Sequence, residues 1–296
     1  MIVTLERLRI FVAVAERQHV TAAARDLNLT QSAVSNAVAA LEAEHGIRLF
    51  DRVGRSVELN EMGRVFLPEA RAVLSRAAAA EAVLADMGAL RRGRVSVFAS
   101  QTIAGYWLPP RLVRFHRDHP NVDLQVQIGN TQVAAQAVLD GVAEIGLVEG
   151  AVEEAALLQA RVGTDRLAVM VAPDHPWAGR RRLSASDLVS SPWVLREPGS
   201  GTRSTLEEAL GEAGVEPGDL QVAMSLPSNE AVLGAAEAGG GATALSESVA
   251  RAALAAGRLV VAPFVLRERP FRLLRHADRY RSRAGEAFAR SVSIPL

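Results

Sequence analysis

Cysteine is absent from the 296-residue sequence, which excludes disulfide scaffolds, thiolate metal sites and cysteine nucleophiles and suits a reducing compartment. Lysine is absent too, so all 33 basic side chains are arginine; a Schiff-base lysine and the lysine of a phosphate-binding loop are excluded. A net charge is also missing. Acids match bases at 33 each, and the first sixty residues hold seven Arg against seven acids, so bulk charge does not point to nucleic acid and only placement can. Long apolar runs are lacking as well: Leu8 to Ala15 contains Arg9 and is too short for a membrane span or a signal peptide, which predicts a cytoplasmic protein with no membrane partner. What is present is an apolar fraction of 49%, enough at this length to bury separate cores for one small domain and one or two of ordinary size.

Leu8, Phe11, Val12 and Ala15 fall at i, i+3, i+4 and i+7, which predicts an amphipathic helix. Thr21 is expected to N-cap a short helix through Ala22, Ala23, Ala24 and Leu27, since its hydroxyl can accept an orphan backbone N–H. A further helix follows almost at once from Leu29 to Glu42, with Val34, Val38 and Leu41 as its apolar stripe and Gln31, Ser32, Ser35 and Asn36 on another face. His45-Gly46 closes it, glycine being the usual residue past a helix C-terminus. Two short helices with a tight turn describe a helix-turn-helix that fits a major groove. Short polar side chains let the second helix approach the base edges, and Asn and Gln can pair with the N6/N7 edge of adenine. Arg48 to Leu59 reads as two strands around a turn at Gly54, with Arg52 and Arg55 at and near the tip, where a wing can touch phosphate or the minor groove. By pattern alone, a small three-helix domain with a solvated polar face fits equally well.

The order and spacing of Ala22-Ala23-Ala24, Gln31-Ser32-Ala33-Val34-Ser35, Leu41-Glu42, Gly46, Leu49-Phe50 and Arg52 closely resemble the LysR-type transcriptional regulators. The resemblance covers essentially the whole chain. It departs at Ser32, where many members have Pro, at Asn36, where many have Arg, and at Asn60, where Thr usually precedes the linker helix. It implies a winged helix-turn-helix over 1–60, a linker helix over 61–91, and a periplasmic-binding-protein-like, two-lobed α/β effector domain. The first lobe is expected over 94–163 plus 265–291 and the second over 164–264. The DNA contacts it implies are Thr21, Thr30, Gln31, Ser32, Ser35, Asn36, Arg52 and Arg55, on a palindromic double-stranded operator, with RNA polymerase as a candidate partner.

From Glu61 to about Leu90, the apolar positions Phe66, Ala70, Val73, Ala77, Ala80, Leu84 and Met87 alternate in steps of four and three, a heptad seam. About 30 helical residues span roughly 45 Å, and a stripe that narrow is hard to bury within one small domain. A partner helix from a second chain is the economical explanation; packing on the chain's own domains is the alternative. Pro68 is expected to bend the helix. The resemblance adds tetramers assembled from two dimers.

Beyond Arg91-Arg92-Gly93-Arg94, β-prone runs alternate with helical ones, which predicts a largely parallel sheet covered by helices. In such lobes ligands sit beyond the carboxyl ends of the strands, where helix N-termini can hold anions. Four loops stand there. They nominate Ser100 and Thr102; Asn130 and Thr131; Arg196, Ser200 and Thr202, with Arg203 adding donors; and Asn229. An ordinary capped strand-to-helix turn is the plainer reading of each. The third loop resembles the branch of the family with regulators of carbon fixation and of sulfur assimilation, which implies an anionic metabolite, phosphorylated or an oxyanion, as effector; no cofactor is expected besides it.

An enzyme is not expected. Ser200 lacks a spaced Gly-x-Ser-x-Gly elbow and a nearby His, Gly239-Gly240-Gly241 lies after a helix where C-capping explains it, and His116 with His119 fit a helix C-terminus better than a metal site. Two other classes remain open: a solute-binding protein, which would need export although the chain opens on an amphipathic helix, and an enzyme on the two-lobed fold.

Overall fold

In the computed structural model, which describes residues 3–54, 56–87 and 93–293, the Thr4 hydroxyl accepts the Arg7 N–H at 3.3 Å and starts α1 (Leu5–Arg17). Leu8, Phe11 and Ala15 are buried as their spacing predicts, joined by Ile10 and Val14, while Val12 is only partly covered. The next helix, α2 (Val20–Asp26), starts earlier than expected: His19 is the cap, its Nδ1 accepting the Ala22 N–H at 3.4 Å, and Thr21 sits inside the first turn. Thr30 caps α3 (Gln31–His45) through the Ala33 N–H at 3.2 Å, and Gly46 ends it in the left-handed conformation at φ 64°.

The wing is an antiparallel pair, β1 (Phe50–Val53) and β2 (Ser56–Leu59). Glu42 fastens it to α3, one carboxylate oxygen accepting the N–H groups of Leu49 at 2.7 Å and Phe50 at 3.3 Å. Asn60 then opens α4 (Glu61–Met87): its Oδ1 accepts the Gly63 N–H and its Nδ2 donates to the Arg48 carbonyl, both at 2.9 Å. The departure from Thr therefore keeps a capping oxygen and adds a second bond. The helix runs unbroken through Pro68. Phe66, Leu67, Ala70 and Leu74 pack into the core of the head, with the Phe66 ring 5.0 Å from that of Phe11. The front of the heptad seam is thus covered by the chain itself. Further along, Val73 and Leu84 are exposed.

The chain divides into two compact units, Met1–Ala89 with Asp140–Val142, and Leu90–Leu139 with Ala143–Leu296. In the second unit, β3 (Gly93–Ser100) leads through a π-helical turn at Ile103–Trp107 into α5 (Pro109–Asp118), followed by β4 (Val122–Gly129), α6 (Thr131–Asp140), β5 (Ile145–Glu149) and β6 (Leu157–Asp165). The chain then crosses to β7 (Leu167–Val171), α7 (Ala185–Ser190), β8 (Pro192–Arg196), α8 (Gly201–Glu212), β9 (Gln221–Leu226), α9 (Asn229–Glu237), β10 (Thr243–Ser246), α10 (Glu247–Ala255) and β11 (Val260–Val261). It returns as β12 (Arg269–His276) and α11 (Arg283–Ser293).

The first lobe's sheet has the order β4-β3-β5-β12-β6, and the second joins β8-β9 to β10-β7-β11 through reciprocal 2.8 Å bonds of Val194 with Ala242 and of Ala242 with Pro192. Both sheets are mixed, not largely parallel. The strands entered by simple helical crossovers, β3, β4 and β5, are parallel, but β12 runs antiparallel to both its neighbours because it re-enters the lobe from the far side. Each lobe has its own apolar core, around Phe115, Phe271 and Phe288 in the first and Trp193, Leu188 and Leu206 in the second. Gly239-Gly240 closes α9 as a C-cap, and His119 ends α5 with its ring against Phe115. Among the described residues, no helix is long and apolar enough to cross a membrane.

Asn60→Ala is expected to destabilise the head by about 1–2 kcal/mol through loss of the cap, and Asn60→Thr, which retains a capping oxygen, by less. Urea unfolding followed by helical circular dichroism measures the difference; equal losses would remove the capping role.

Candidate functional site

Two surfaces carry the polar residues singled out above. On the head, the N-terminal turns of α3 leave Gln31, Ser32 and Asn36 exposed and Ser35 half-buried, while Val34 and Leu41 anchor the opposite face. Thr30 is exposed as the cap, its hydroxyl 3.1 Å from that of Ser32. Thr21 is half-buried in α2, and Arg52 is exposed on β1. Arg55 lies outside the described residues. Apart from Thr21, the described members lie on one helix end and one wing strand, separate from the buried stripe.

The second surface is the cleft between the lobes of the larger unit. Its loops leave the carboxyl ends of strands: Ser100 ends β3, Glu149 ends β5, Arg196 ends β8 and Ser246 ends β10, while Thr131 opens α6 and Asn229 opens α9. Ser100, Thr102, Thr131, Arg196, Ser200, Thr202 and Asn229 are all buried, and Asn130 is half-buried. The expected set is therefore brought together. Arg203 is not: its guanidinium turns to Glu207 at 2.7 Å and to the Arg196 carbonyl at 3.3 Å.

The lobes touch through these residues. Gln101 clasps the start of α9, donating to the Pro227 carbonyl at 2.7 Å and accepting the Asn229 N–H at 3.0 Å. Asn229 Nδ2 donates to Thr102 Oγ1 at 3.3 Å, and its Oδ1 accepts from Arg196 Nη1. The Gln132 N–H donates to the Gly199 carbonyl at 3.1 Å. Gly201, the first residue of α8, lies so close to the Glu149 carbonyl and Thr131 Oγ1 that a Cβ would collide with both, so only glycine allows this approach. At one edge, burial followed by the charge and hydrogen bond of Glu230 raises the Tyr106 phenol above its ordinary value.

Four charged residues lie among these loops that sequence reasoning passed over. Arg269 donates to Asp165 Oδ2 from Nε at 2.9 Å and Nη2 at 2.7 Å, lies 3.7 Å from Glu149, and reaches Thr202 Oγ1 from Nη1 at 3.2 Å. Asp165 also accepts from Ser246 Oγ at 2.7 Å, and Glu149 accepts from Ser100 Oγ. Glu197 forms a two-pronged pair with Arg196, at 2.8 and 2.9 Å, and accepts from Asn130 Nδ2 at 3.2 Å. Burial alone would push the Glu197 carboxyl up, but the hydrogen bonds and charge of Arg196, aided by a backbone bond and Asn130, hold it below its ordinary range. Glu197 stood within a loop already singled out. Asp165 and Arg269 are more than a hundred positions apart, and only the register of β6 with β12 makes them neighbours.

Each nominated hydroxyl already has a protein partner: Ser100 donates to Glu149, Thr131 to the Glu149 carbonyl at 2.6 Å, Thr202 accepts from Arg269, and Ser200 accepts the Thr202 N–H at 3.3 Å. Among the described residues, no group of His, Asp and Glu is arranged to hold a metal ion.

Residues 5–64 match the family described as bacterial regulatory helix-turn-helix protein, lysR family, and residues 88–293 match the LysR substrate binding domain. The chain is 35% identical over 291 residues to the uncharacterized HTH-type transcriptional regulator YeiE of Escherichia coli (strain K12), covering 97% of this chain and 96% of the relative. It is 33% identical to the HTH-type transcriptional regulator CysL of Bacillus subtilis (strain 168), over 82% of this chain and 81% of that one. It is also 33% identical to the RuBisCO operon transcriptional regulator of Allochromatium vinosum, over 88% and 85%. In fold it is similar to full-length CbnR complexed with its target DNA, with a TM-score of 0.65 and 22% identity over 99% of this chain and 100% of that chain.

Asp165→Ala strands a guanidinium that is 3% exposed, and is expected to cost about 3 kcal/mol or more. Adding Arg269→Met should recover only part of the loss, because the buried Glu149 carboxylate is then left with the Ser100 hydroxyl alone. Urea unfolding followed by tryptophan fluorescence reads it cleanly, because Trp107, Trp177 and Trp193 all belong to the larger unit; a double variant as unstable as the single one would contradict the pairing.

Proposed function

The chain belongs to the LysR family of helix-turn-helix transcriptional regulators, and from that premise we propose that it reads a palindromic operator through α3 and the wing under the control of a small anionic metabolite held between its lobes. The observation that carries the sensing half is the convergence of buried polar side chains from both lobes on one cleft, the convergent polar groups that a small-molecule site uses to fix its ligand. For DNA reading, support comes from Gln31, Ser32, Ser35 and Asn36 on the open turns of a helix whose other face is anchored. Arg52 and Arg55 of the wing are assigned to the backbone.

Two such heads suit a two-fold site. The exposed rear of the linker seam, from Val73 to Leu84, is assigned to a second copy of the chain, and a dimer of such dimers is the working assembly. This reading puts the protein in the cytoplasm with its operator, without a catalytic role and with RNA polymerase as a further partner. The metabolite acts by population shift: it can move the balance between lobe arrangements only by its differential affinity for them.

Ser35→Ala together with Asn36→Ala is expected to reduce the preference for operator over random duplex roughly tenfold or more while leaving the oligomer intact. Gel-shift titration against both duplexes tests this; an unchanged preference would reassign base reading to other residues. Thr202→Ala is expected to weaken the effector response and leave basal DNA binding alone. A thermal-shift screen of anionic metabolites on the wild-type protein supplies the probe, and stabilisation by that compound undiminished in the variant would move the ligand elsewhere.

A further inference from the structure

Of the three carboxylates in the cleft network, two are sealed in: Glu149 and Asp165 have side chains 3% and 4% exposed. The third, Glu197, is 23% exposed. It nevertheless holds the strongest recognition element there, the flat fork of Arg196, whose own side chain is only 2% exposed. Glu197 meets this fork side-on, Oε2 on Nε at 2.8 Å and Oε1 on Nη2 at 2.9 Å. From across the cleft, Asn130 Nδ2 donates to the same Oε1 at 3.2 Å. Three donors from two lobes thus converge on one carboxylate. The fork is aimed from behind by Asn229, which accepts from Nη1 and in turn reaches Thr102.

We propose that Glu197 is a built-in stand-in for the effector, and that the fork of Arg196 with Asn130 Nδ2 is a subsite for a metabolite's carboxylate, which binds by displacing Glu197. The inference rests on the reading of the cleft as a sensor and sharpens its ligand from an anion in general to a planar carboxylate. The fork's two parallel N–H groups can grip carboxylate and phosphate oxygens alike, so the selection comes from the shape of the present occupant: two coplanar oxygens, one on Nε, the other shared by Nη2 and Asn130 Nδ2. The exchange also creates a threshold. Because Glu197 already satisfies the buried cation, an incoming carboxylate gains nothing from the fork alone, and only a molecule that also makes contacts with neighbours such as Ser100, Thr102 or Thr131 outcompetes it. Once displaced, Glu197 no longer joins Arg196 to Asn130, so the same event that admits the ligand replaces an internal tie between the lobes with the ligand itself.

Chemical rescue of the full-length protein by a simple carboxylate tests this. Glu197→Ala leaves the fork without its carboxylate and should lower the melting temperature read by tryptophan fluorescence. Sodium acetate should then restore it by a few degrees, saturating with concentration, while sodium chloride at equal ionic strength does not and the wild-type protein shows no such gain. Asn130→Ala in the same background should raise the acetate concentration needed several-fold. Arg196→Met in that background should abolish the effect, and if that variant does not fold, the Asn130 comparison decides. Rescue no better than by chloride, the same gain in wild type, no change in the acetate requirement on Asn130→Ala, or a stronger response to sulfate than to acetate would each overturn the proposal. Failure of rescue while a metabolite still stabilises the wild-type protein through Thr202 would remove the subsite and leave the sensing role standing.

Discussion

The larger unit depends on one buried cation. Arg269 is the first residue of β12 and Asp165 the last of β6; they are paired in register, and their side chains are joined by two hydrogen bonds. An arginine so enclosed is tolerable only if every surrounding element supplies its share of compensation. Asp165 does so from the outgoing crossover, Glu149 from the end of β5, and Thr202 from the first turn of α8 in the other lobe. Because Ser246 also bonds Asp165, the point where the chain leaves the first lobe and the point where it returns are fixed against the end of β10 and the first turn of α8 in the second. The charge therefore acts as a registration mark, with packing of each lobe left to its own apolar core.

From that mark the cleft is organised outward. Glu149, held near Arg269, takes the Ser100 hydroxyl, and its carbonyl takes Thr131. The glycine at position 201 lets α8 lie against the same carbonyl. Asn229 then connects Thr102 to Arg196. Polar groups in so enclosed a place are costly when unpaired, so any change at one position is felt by its neighbours. The donors and acceptors of the cleft are thus held in fixed orientations by satisfying one another.

Much of this is legible in the residues, and the illegible part has a common cause. Local signals work where the physics is local. The stripe of α1, the cap at Thr30, the glycine at 46 and the loops at strand ends all depend on neighbours within a few positions. They mislead in two ways. Thr21 looks a better cap than His19 because hydroxyls are the commoner caps, although His19 stands at the position from which the Ala22 N–H can be reached. The ion cluster leaves no local trace at all, since Asp165 and Arg269 become partners only through an antiparallel return strand whose sequence, Arg269-Pro270-Phe271-Arg272, carries three polar or helix-breaking residues in its first four and does not announce a buried position. The front of the linker seam shows the same limit: a heptad pattern says that a stripe is covered, and Phe66 and Ala70 are covered by α1 of the same chain.

That last arrangement has a mechanical meaning. With Phe66, Ala70 and Leu74 set into the core that α1 and α3 share, the front of α4 and these helices form a single packed body. The 27 residues of α4 make an arm roughly 40 Å long. Tilting such an arm by about 10° carries its far end through roughly 7 Å, close to the rise of two base pairs. Pivoted about its far end, the arm moves the head, and α3 with it, by the same distance, through an angle too small to disturb any core.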